Sequence, residues 1–167
     1  AAADVVYCDY VIDGTVETWS AGTYQYNDLV LNNGALLFIE EEVVILLDGN
    51  LLVDPTSWII GDSAGHAANI ASGDGIGPCP GSWVTNEGAS GAGYGGLGGE
   101  GGTDSSSSIA PAGCTTGARD GISIAMGSSG GTSDGATGGA GGASLWVNAS
   151  GIYVDGVVTM DGGAGGV

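Results

Sequence analysis

The sequence has almost no positive charge, because one basic residue, Arg119, stands against 19 acidic residues and the formal net charge is −18. A phosphate backbone or an anionic lipid surface would repel such a chain, and it has no lysines to release counterions on binding. Salt bridges cannot hold the fold for the same reason. The composition therefore argues against nucleic acid and membrane-surface partners.

Long hydrophobic runs are missing as well. The longest stretches, such as Val43 to Leu47, are far shorter than the roughly 20 apolar residues of a membrane helix. Hydrophobic residues still make up 43% of the 167 residues, which excludes simple disorder despite 36 glycines. We expect one folded domain over residues 1–167, without membrane insertion.

The residues that bind transition metals are scarce. There is one histidine, His66, and no Cys-x-x-Cys motif, which argues against zinc. Cys79 and Cys114 lie in turn-rich segments, and we predict a disulfide between them that closes a loop of about 36 residues. Cys8 then has no partner in the chain. It is expected either to be buried as a small hydrophobic residue or to form a link to another chain.

What the sequence does contain is a strand-rich segment, residues 5–60. Residues 24 to 31 alternate with period two, and residues 32 to 34, Asn-Asn-Gly, are typical of a turn. Leu36 to Ile39 and Val43 to Leu47 are continuous apolar runs, as in strands buried on both sides. Corners are predicted at Asp48-Gly49 and Asp54-Pro55.

An apolar sequence motif occurs twice, once near each end of the chain. Residues 34–39 and 44–54 return as residues 142–147 and 152–161, at spacings of 108 and 107 residues. A partial third copy occupies residues 11–16. Each copy is too short to bury its own apolar face, so it must stack on a like unit. The repeat predicts a coil of stacked strands, with residues 144–161 forming another rung.

Glycine dominates residues 61–143, and Gly-Gly-x triplets return in residues 162–167. One interpretation is a flexible linker, the usual reading of Gly/Ser tracts. The three-residue period also suits extended polyglycine-like segments whose backbones touch. We favour ordered polyglycine-like segments packed along the coil, with residues 103–118 forming an exposed loop tied by the disulfide.

The segment Ser20 to Leu36, the Asp-Gly rung after it and the Gly-Gly tract that closes on Gly142 to Val147 resemble large glycine-rich surface and secreted proteins of microbes. The resemblance implies an all-β fold, a right-handed parallel β-helix (solenoid). It also implies an extracellular or cell-surface location and an adhesive, coat or fibre role. It carries over no catalytic residues.

Enzymes with parallel β-helices include polysaccharide lyases and hydrolases. A lyase needs a base and cations beside an acidic sugar, and the only candidates, Arg119 and His66, lie in glycine-rich loops. Hydrolysis needs paired carboxylates, for which Asp9 with Asp13, or residues 40–42 (Glu-Glu-Glu), are candidates. We interpret these acids as solvated strand edges and corners, and predict that the protein is not an enzyme.

Four aspartates are weak calcium candidates. The repeat predicts that Asp48 and Asp155 occupy equivalent corners, and that Asp54 and Asp161 do the same. Stacked carboxylates repel unless they are screened, either by specific calcium or by diffuse ions. Separately, Asn148-Ala-Ser is a sequon, so Asn148 is a predicted glycosylation site if the source organism glycosylates.

The two ends of the sequence carry rung-like patterns without a charged, proline-bearing or helical cap. This predicts a non-enzymatic extracellular structural subunit that stacks end to end with copies of itself into a fibre. A piece of a large surface adhesin, or a carbohydrate-binding or degrading module with glycan partners, would show the same pattern. The tryptophans are expected in the core or in stacking rather than on a sugar platform: Trp19, Trp58, Trp83 and Trp146.

Overall fold

The computed structural model describes residues 7–85, 88–93, 97–101, 109–115, 125–133 and 136–166. Within these ranges the chain forms strands and no helix. The fold divides into two compact units, the first Ala1–Ile60 with Leu145–Thr159 and the second Gly61–Ser144 with Met160–Val167. The single domain over residues 1–167 stays a prediction.

The first unit is built from eleven strands in three sheets. The first sheet has the order β1-β4-β7-β10, the second β11-β8-β5-β2 and the third β3-β6-β9. The strand bounds are β1 Tyr10–Asp13, β2 Val16–Trp19, β3 Gly22–Tyr26, β4 Leu29–Asn32, β5 Leu36–Ile39, β6 Glu42–Leu47, β7 Asn50–Val53, β8 Trp58–Ile60, β9 Ser144–Asn148, β10 Gly151–Val154 and β11 Val157–Thr159.

The strands pair in parallel, and the chain visits the three sheets in a constant order. Each strand therefore lies beside the strand three places further along the sequence. Tyr10 pairs with Leu29, and Leu29 pairs with Leu51. The expectation of an all-β fold with parallel strands is confirmed.

Side chains alternate between the core and the outer face along each strand, as the pleat requires. In β6 the core positions are Val43, Ile45 and Leu47, which are at most 7% exposed. Register places core residues of successive strands beside one another, so the first unit buries continuous apolar columns. Other core residues are Ile12, Leu29, Leu31, Leu37, Ile39, Leu51, Val53 and Ile59.

The corners follow turn chemistry. Asn33 and Gly34 have φ values of 55° and 81°, the left-handed region that Asn and Gly tolerate best. The turn predicted at residues 32–34 is therefore confirmed. Residues 24 to 31, however, are not one strand, because a corner at Asn27 and Asp28 separates β3 from β4. The alternation of side-chain character continues through this corner, so the sequence pattern did not indicate that the strand ends there.

The predicted equivalence of the repeated phrases is wrong in its register. Val53 pairs with Val154, so Asp155 follows the same corner as Asp54 and is not equivalent to Asp48. Leu36–Ile39 lies in the second sheet, whereas Ser144–Asn148 lies in the third. The physical reason is that an apolar run followed by Asp occurs at two different corners of the fold, so two similar sequences need not occupy equivalent positions.

The second unit holds most of the glycine-rich tract, and its described segments hydrogen-bond to one another. Gly65 N–H donates to Gly141 O at 2.8 Å, and Gly141 N–H donates to His66 O at 2.9 Å. His66 N–H donates to Gly127 O at 3.1 Å, and Gly127 N–H donates to Gly142 O at 2.9 Å. For the described residues the flexible-linker interpretation is therefore wrong.

Many of these glycines leave no room for a side chain. A Cβ on Gly141 would lie less than 3.0 Å from the backbone of Gly127, and a Cβ on Gly138 would meet the backbone of Gly130 equally closely. Close backbone approach of this kind requires glycine. It explains why glycine is so abundant here despite its conformational cost.

The predicted disulfide between Cys79 and Cys114 is present, with the two Cα atoms 5.0 Å apart. Cys79 is 1% exposed, so the bridge is anchored in the packed interior of the second unit. Parts of the loop predicted at residues 103–118 lie outside the described residues. A disulfide indicates a non-cytoplasmic compartment.

Candidate assembly interface

The three sheets of the first unit end in edge strands on two sides. β1, β2 and β3 form one set of edges, and β10, β11 and β9 form the other. Within the described residues no further strand pairs with the outer side of either set. Such edges expose backbone N–H and C=O groups that can pair with another strand.

At the β10 and β11 edges, core-facing side chains are exposed. Ile152 and Val154 are 54% and 39% exposed, and Val158 is 42% exposed. Their partners in the preceding strands are Leu51, Val53 and Ile59, which are 2%, 3% and 0% exposed. The apolar columns of the core are therefore exposed to solvent at this end of the first unit, which we call the apolar end.

The opposite edges carry aromatic residues at the core positions. Tyr10 and Tyr26 stack with ring centroids 4.7 Å apart, and Trp19 and Tyr24 stack at 4.3 Å. Trp19 also contacts Tyr10 edge-on at 5.9 Å and is only 5% exposed. We call this cluster the aromatic end. It covers the last aliphatic layer with rings whose edges tolerate water.

A carboxylate lies inside the aromatic end. Glu17 is in register with the buried Leu37, so it occupies a core-facing position. The Tyr10 hydroxyl donates to Glu17 at 3.0 Å, and Trp19 Nε1–H donates to it at 3.2 Å. Burial, followed by the hydrogen bond and charge of Glu17, raises the pKa of Tyr10. Burial, followed by the charge of Glu17, also raises the pKa of Tyr26.

A polar ladder runs along the corner between the first and second sheets. Asn33 Nδ2 donates to Asp13 Oδ1 at 2.6 Å, and Asn33 N–H donates to Asp54 Oδ2 at 2.8 Å. Hydrogen bonds from Ser57, from the Asn33 backbone and from Thr56 lower the pKa of Asp54 to about 2. Asp54 therefore stays ionised because its corner supplies donors, and this ladder replaces salt bridges in a chain that has one cation.

The predicted calcium candidates are not brought together. Asp48, Asp155 and Asp161 are exposed and Asp54 is half-buried. Asp54 and Asp155 follow equivalent strands of the first sheet, whereas Asp48 follows β6 of the third sheet and Asp161 comes after β11 of the second. Among the described residues there is no group of three or more His, Cys, Asp or Glu side chains placed to hold a metal ion.

The other predicted positions are dispersed. Asn148 is exposed at the end of β9, and the hydroxyl of Ser150 in its sequon donates to Asp48 O at 2.8 Å. Cys8 is free and exposed, so the expectation that it is buried is wrong. His66 is half-buried, and Arg119 lies outside the described residues.

The carboxylates considered for hydrolysis lie at corners. Asp9 accepts a hydrogen bond from Asn27 Nδ2 at 2.7 Å. Residues 40–42 are exposed, with Glu40 and Glu41 at the turn between β5 and β6 and Glu42 at the start of β6. Asp13 belongs to the polar ladder at a different corner. Their hydrogen bonds join neighbouring corners of the fold.

The sequence interpretation missed the Glu17 cluster and the position of Trp58. Glu17 and Trp19 are two residues apart, and this period-two spacing could have placed both on the core face of a strand. Trp58 was expected in the core or in stacking, and it is 43% exposed on the outer face of β8. Ser57, which is fully buried, takes the core side of that corner.

Comparisons with family models, with curated proteins and with solved structures find no match for this chain. No helix in the described residues is long and apolar enough to cross a membrane.

Proposed function

We propose that the protein is a non-enzymatic extracellular structural subunit that stacks end to end with copies of itself. In this proposal the three sheets are the faces of a right-handed parallel β-helix, since parallel strands joined by crossovers are right-handed in nearly all proteins. The glycine network of the second unit would then be a set of polyglycine-like segments, as its three-residue sequence period predicts.

The observation that carries the proposal is the exposure of the core columns at the apolar end. Ile152, Val154 and Val158 face the same way as side chains that are buried in the preceding strands. Completing the burial of three half-exposed aliphatic side chains would contribute about 1 kcal/mol each. Parallel edges on both partners would add a ladder of backbone hydrogen bonds across the junction.

The aromatic end supplies the complementary surface. Because all pairing is parallel, the free edge of β10 in one copy is oriented to accept β1 of the next copy. By continuation of the register, Tyr10 of the next copy would lie against Ile152, and Ile12 would lie against Val154. Head-to-tail contacts of two different surfaces form rings where the rotation closes and open filaments where it does not. Sheets that continue in one direction from copy to copy would form a filament.

The charge of −18 per copy opposes this stacking. Most acidic residues in the described ranges are exposed, and salt screens such charges over about 8 Å at physiological ionic strength. Assembly is therefore expected to increase with sodium chloride concentration. A protein assembled through salt bridges would show the opposite dependence on salt. Divalent cations should act in the same direction as sodium chloride, at lower concentration.

The test compares three substitutions in one strand. Val154→Asp and Ile152→Asp place a charge on the core column at the apolar end, whereas Tyr153→Asp adds the same charge on the outer face of β10. Sedimentation velocity and electron microscopy over a range of concentrations would measure assembly, and circular dichroism would confirm that the variants fold.

We expect wild type and Tyr153→Asp to form filaments, and the two core-column variants to remain at the chain mass of 16.1 kDa. A wild-type chain that stays monomeric at high concentration and high salt would overturn the proposal. Equal assembly of Val154→Asp and wild type would also overturn it.

A further inference from the structure

One apolar column of the core ends in a carboxylate. The register places four core-facing residues in line across the second sheet, and they are Glu17, Leu37, Ile59 and Val158. Leu37 and Ile59 are fully buried, whereas Val158 is 42% exposed. Glu17 is half-buried. The column therefore has a carboxylate at the aromatic end and an open aliphatic side chain at the apolar end.

This carboxylate has fewer protein donors than it can use. A carboxylate can accept about four hydrogen bonds, and within the described residues two groups donate to Glu17. The Tyr10 hydroxyl lies 3.2 Å and 3.0 Å from its two oxygens, and Trp19 Nε1–H donates to it at 3.2 Å. Because Glu17 is only half-buried, water supplies the remaining hydrogen bonds in an isolated chain.

The groups that surround Glu17 are aromatic. Tyr26, on β3, stacks on Tyr10, and Tyr24, also on β3, stacks on Trp19. Burial and the neighbouring Glu17 raise the pKa of Tyr10 and of Tyr26, so both hydroxyl groups keep their protons at neutral and acidic pH. Glu17 is therefore the member of this aromatic cluster that changes its charge when the solution is acidified.

End-to-end stacking would take the water away from Glu17. If the register continues across the junction, Glu17 of the next copy pairs with Val158. The Val158 side chain has no hydrogen-bond donor to replace the water. The carboxylates in the same segment, Asp155 and Asp161, are exposed before and after β11. Removing a carboxylate from water without new donors favours its neutral form.

We infer that Glu17 couples end-to-end stacking to pH: each junction takes up a proton on this side chain as it forms and releases the proton as it opens. The inference rests on the proposed stacking and names its regulation. An equilibrium that takes up one proton strengthens by up to about tenfold for each pH unit of acidification. Stacks are therefore favoured in acidic surroundings and loosen as the pH rises.

The test compares Glu17→Gln with Glu42→Gln. Both variants lose one carboxylate, but Glu42 is exposed at the start of β6, the central strand of the third sheet, away from both edges. Glutamine at position 17 keeps an oxygen that can accept from Tyr10 and Trp19. Glu17→Leu is a second variant, which extends the apolar column. Circular dichroism would confirm that each variant folds.

The lowest concentration at which filaments form would be measured by sedimentation between about pH 5 and about pH 8. Solvated carboxyl groups stay ionised over this range, so they add little to the dependence on pH. About 1 M sodium chloride shortens the screening length to about 3 Å. Under these conditions the long-range repulsion between copies is small, and the dependence on pH reports on the junction.

We expect the wild type and Glu42→Gln to form filaments at lower concentration as the pH falls, by up to about tenfold per pH unit. The two Glu17 variants should form filaments at the upper end of the pH range as readily as the wild type does at the lower end. Wild-type filaments that form equally at every pH, or a Glu17→Gln slope equal to that of the wild type, would overturn the proton coupling and leave the stacking proposal standing. Absence of filaments from the wild type and both Glu17 variants at every pH would overturn both proposals.

Discussion

The sharpest stability prediction concerns two adjacent glycines in the second unit. A Cβ on Gly131 would lie 2.8 Å from the carbonyl carbon of Ser82, and closer still to its oxygen. A Cβ on Gly130 would find its nearest atom at 3.5 Å, on Gly139, which is an ordinary van der Waals contact. Gly131→Ala should therefore destabilise the protein, and Gly130→Ala should not.

The magnitude follows from the contacts. Forcing an extra methyl group into packed structure costs about 1–3 kcal/mol, and the atoms that Gly131→Ala would displace belong to the backbone of Ser82. Both substitutions reduce the entropy of the unfolded chain, which favours the folded state by about 0.4–1 kcal/mol. That effect cancels between the two variants. The expected difference of about 2 kcal/mol corresponds to roughly 4–8 °C in melting temperature if the whole chain unfolds together, and to about twice that shift if the second unit unfolds in its own transition.

Thermal unfolding by calorimetry and circular dichroism would measure this difference. Calorimetry is needed because the two units can unfold in separate transitions, and only the transition of the second unit should shift. If Gly130→Ala lowers the melting temperature as much as Gly131→Ala does, the backbone contact is not the reason for glycine at these positions.

Two further predictions concern the disulfide and the Asp54 corner. Replacing Cys79 and Cys114 together by alanine should lower the free energy of unfolding by roughly 3–4 kcal/mol from the entropy of the opened loop, measured by denaturant titration. The pKa of Asp54 is lowered to about 2 from an ordinary value of 3.8, so its stabilising effect is present above pH 3.8 and is lost as the pH falls towards 2. Asp54→Asn should reduce the dependence of melting temperature on pH in that window.

Each of these has a matched control. Cys8→Ala removes an exposed free thiol and should change stability by less than about 0.5 kcal/mol. Asp48→Asn removes an exposed carboxylate at another corner and controls for the loss of one negative charge. A disulfide variant as stable as wild type, or an unchanged pH slope in Asp54→Asn, would contradict the corresponding argument.

The sequence predicted most of the strand-rich segment, because buried strands and turns leave local signals. The apolar runs at residues 36–39 and 43–47 correspond to β5 and β6, and the Asn-Asn-Gly turn lies between β4 and β5. The disulfide followed from two cysteines in turn-rich segments. These features depend on residues that are neighbours in the sequence, so one sequence is enough to predict them.

The strand register could not be predicted from the sequence, because it depends on which corner of the fold each Asp occupies. Asp13 ends β1 and Asp54 directly follows β7, both in the first sheet, whereas Asp48 follows β6 in the third. The same apolar-Asp pattern therefore marks two different corners. Trp58 was misplaced for a related reason, since β8 has three residues and so short an alternation does not tell the core face from the outer face.

Glu17 escaped prediction because charged residues are expected to face water. Its carboxylate instead occupies a core-facing position, where the Tyr10 hydroxyl and the Trp19 indole donate to it. Tertiary hydrogen bonds of this kind offset the free-energy cost of burying a charged group. The local sequence pattern does not predict them.

The central claim is that copies of this chain continue one another's parallel sheets. Fibre diffraction of aligned assemblies tests it most directly. If the ladder of strands runs unbroken across each junction, a reflection near 4.8 Å will lie along the fibre axis. If that spacing lies across the axis, or is absent from well-aligned assemblies, the end-to-end stacking is contradicted.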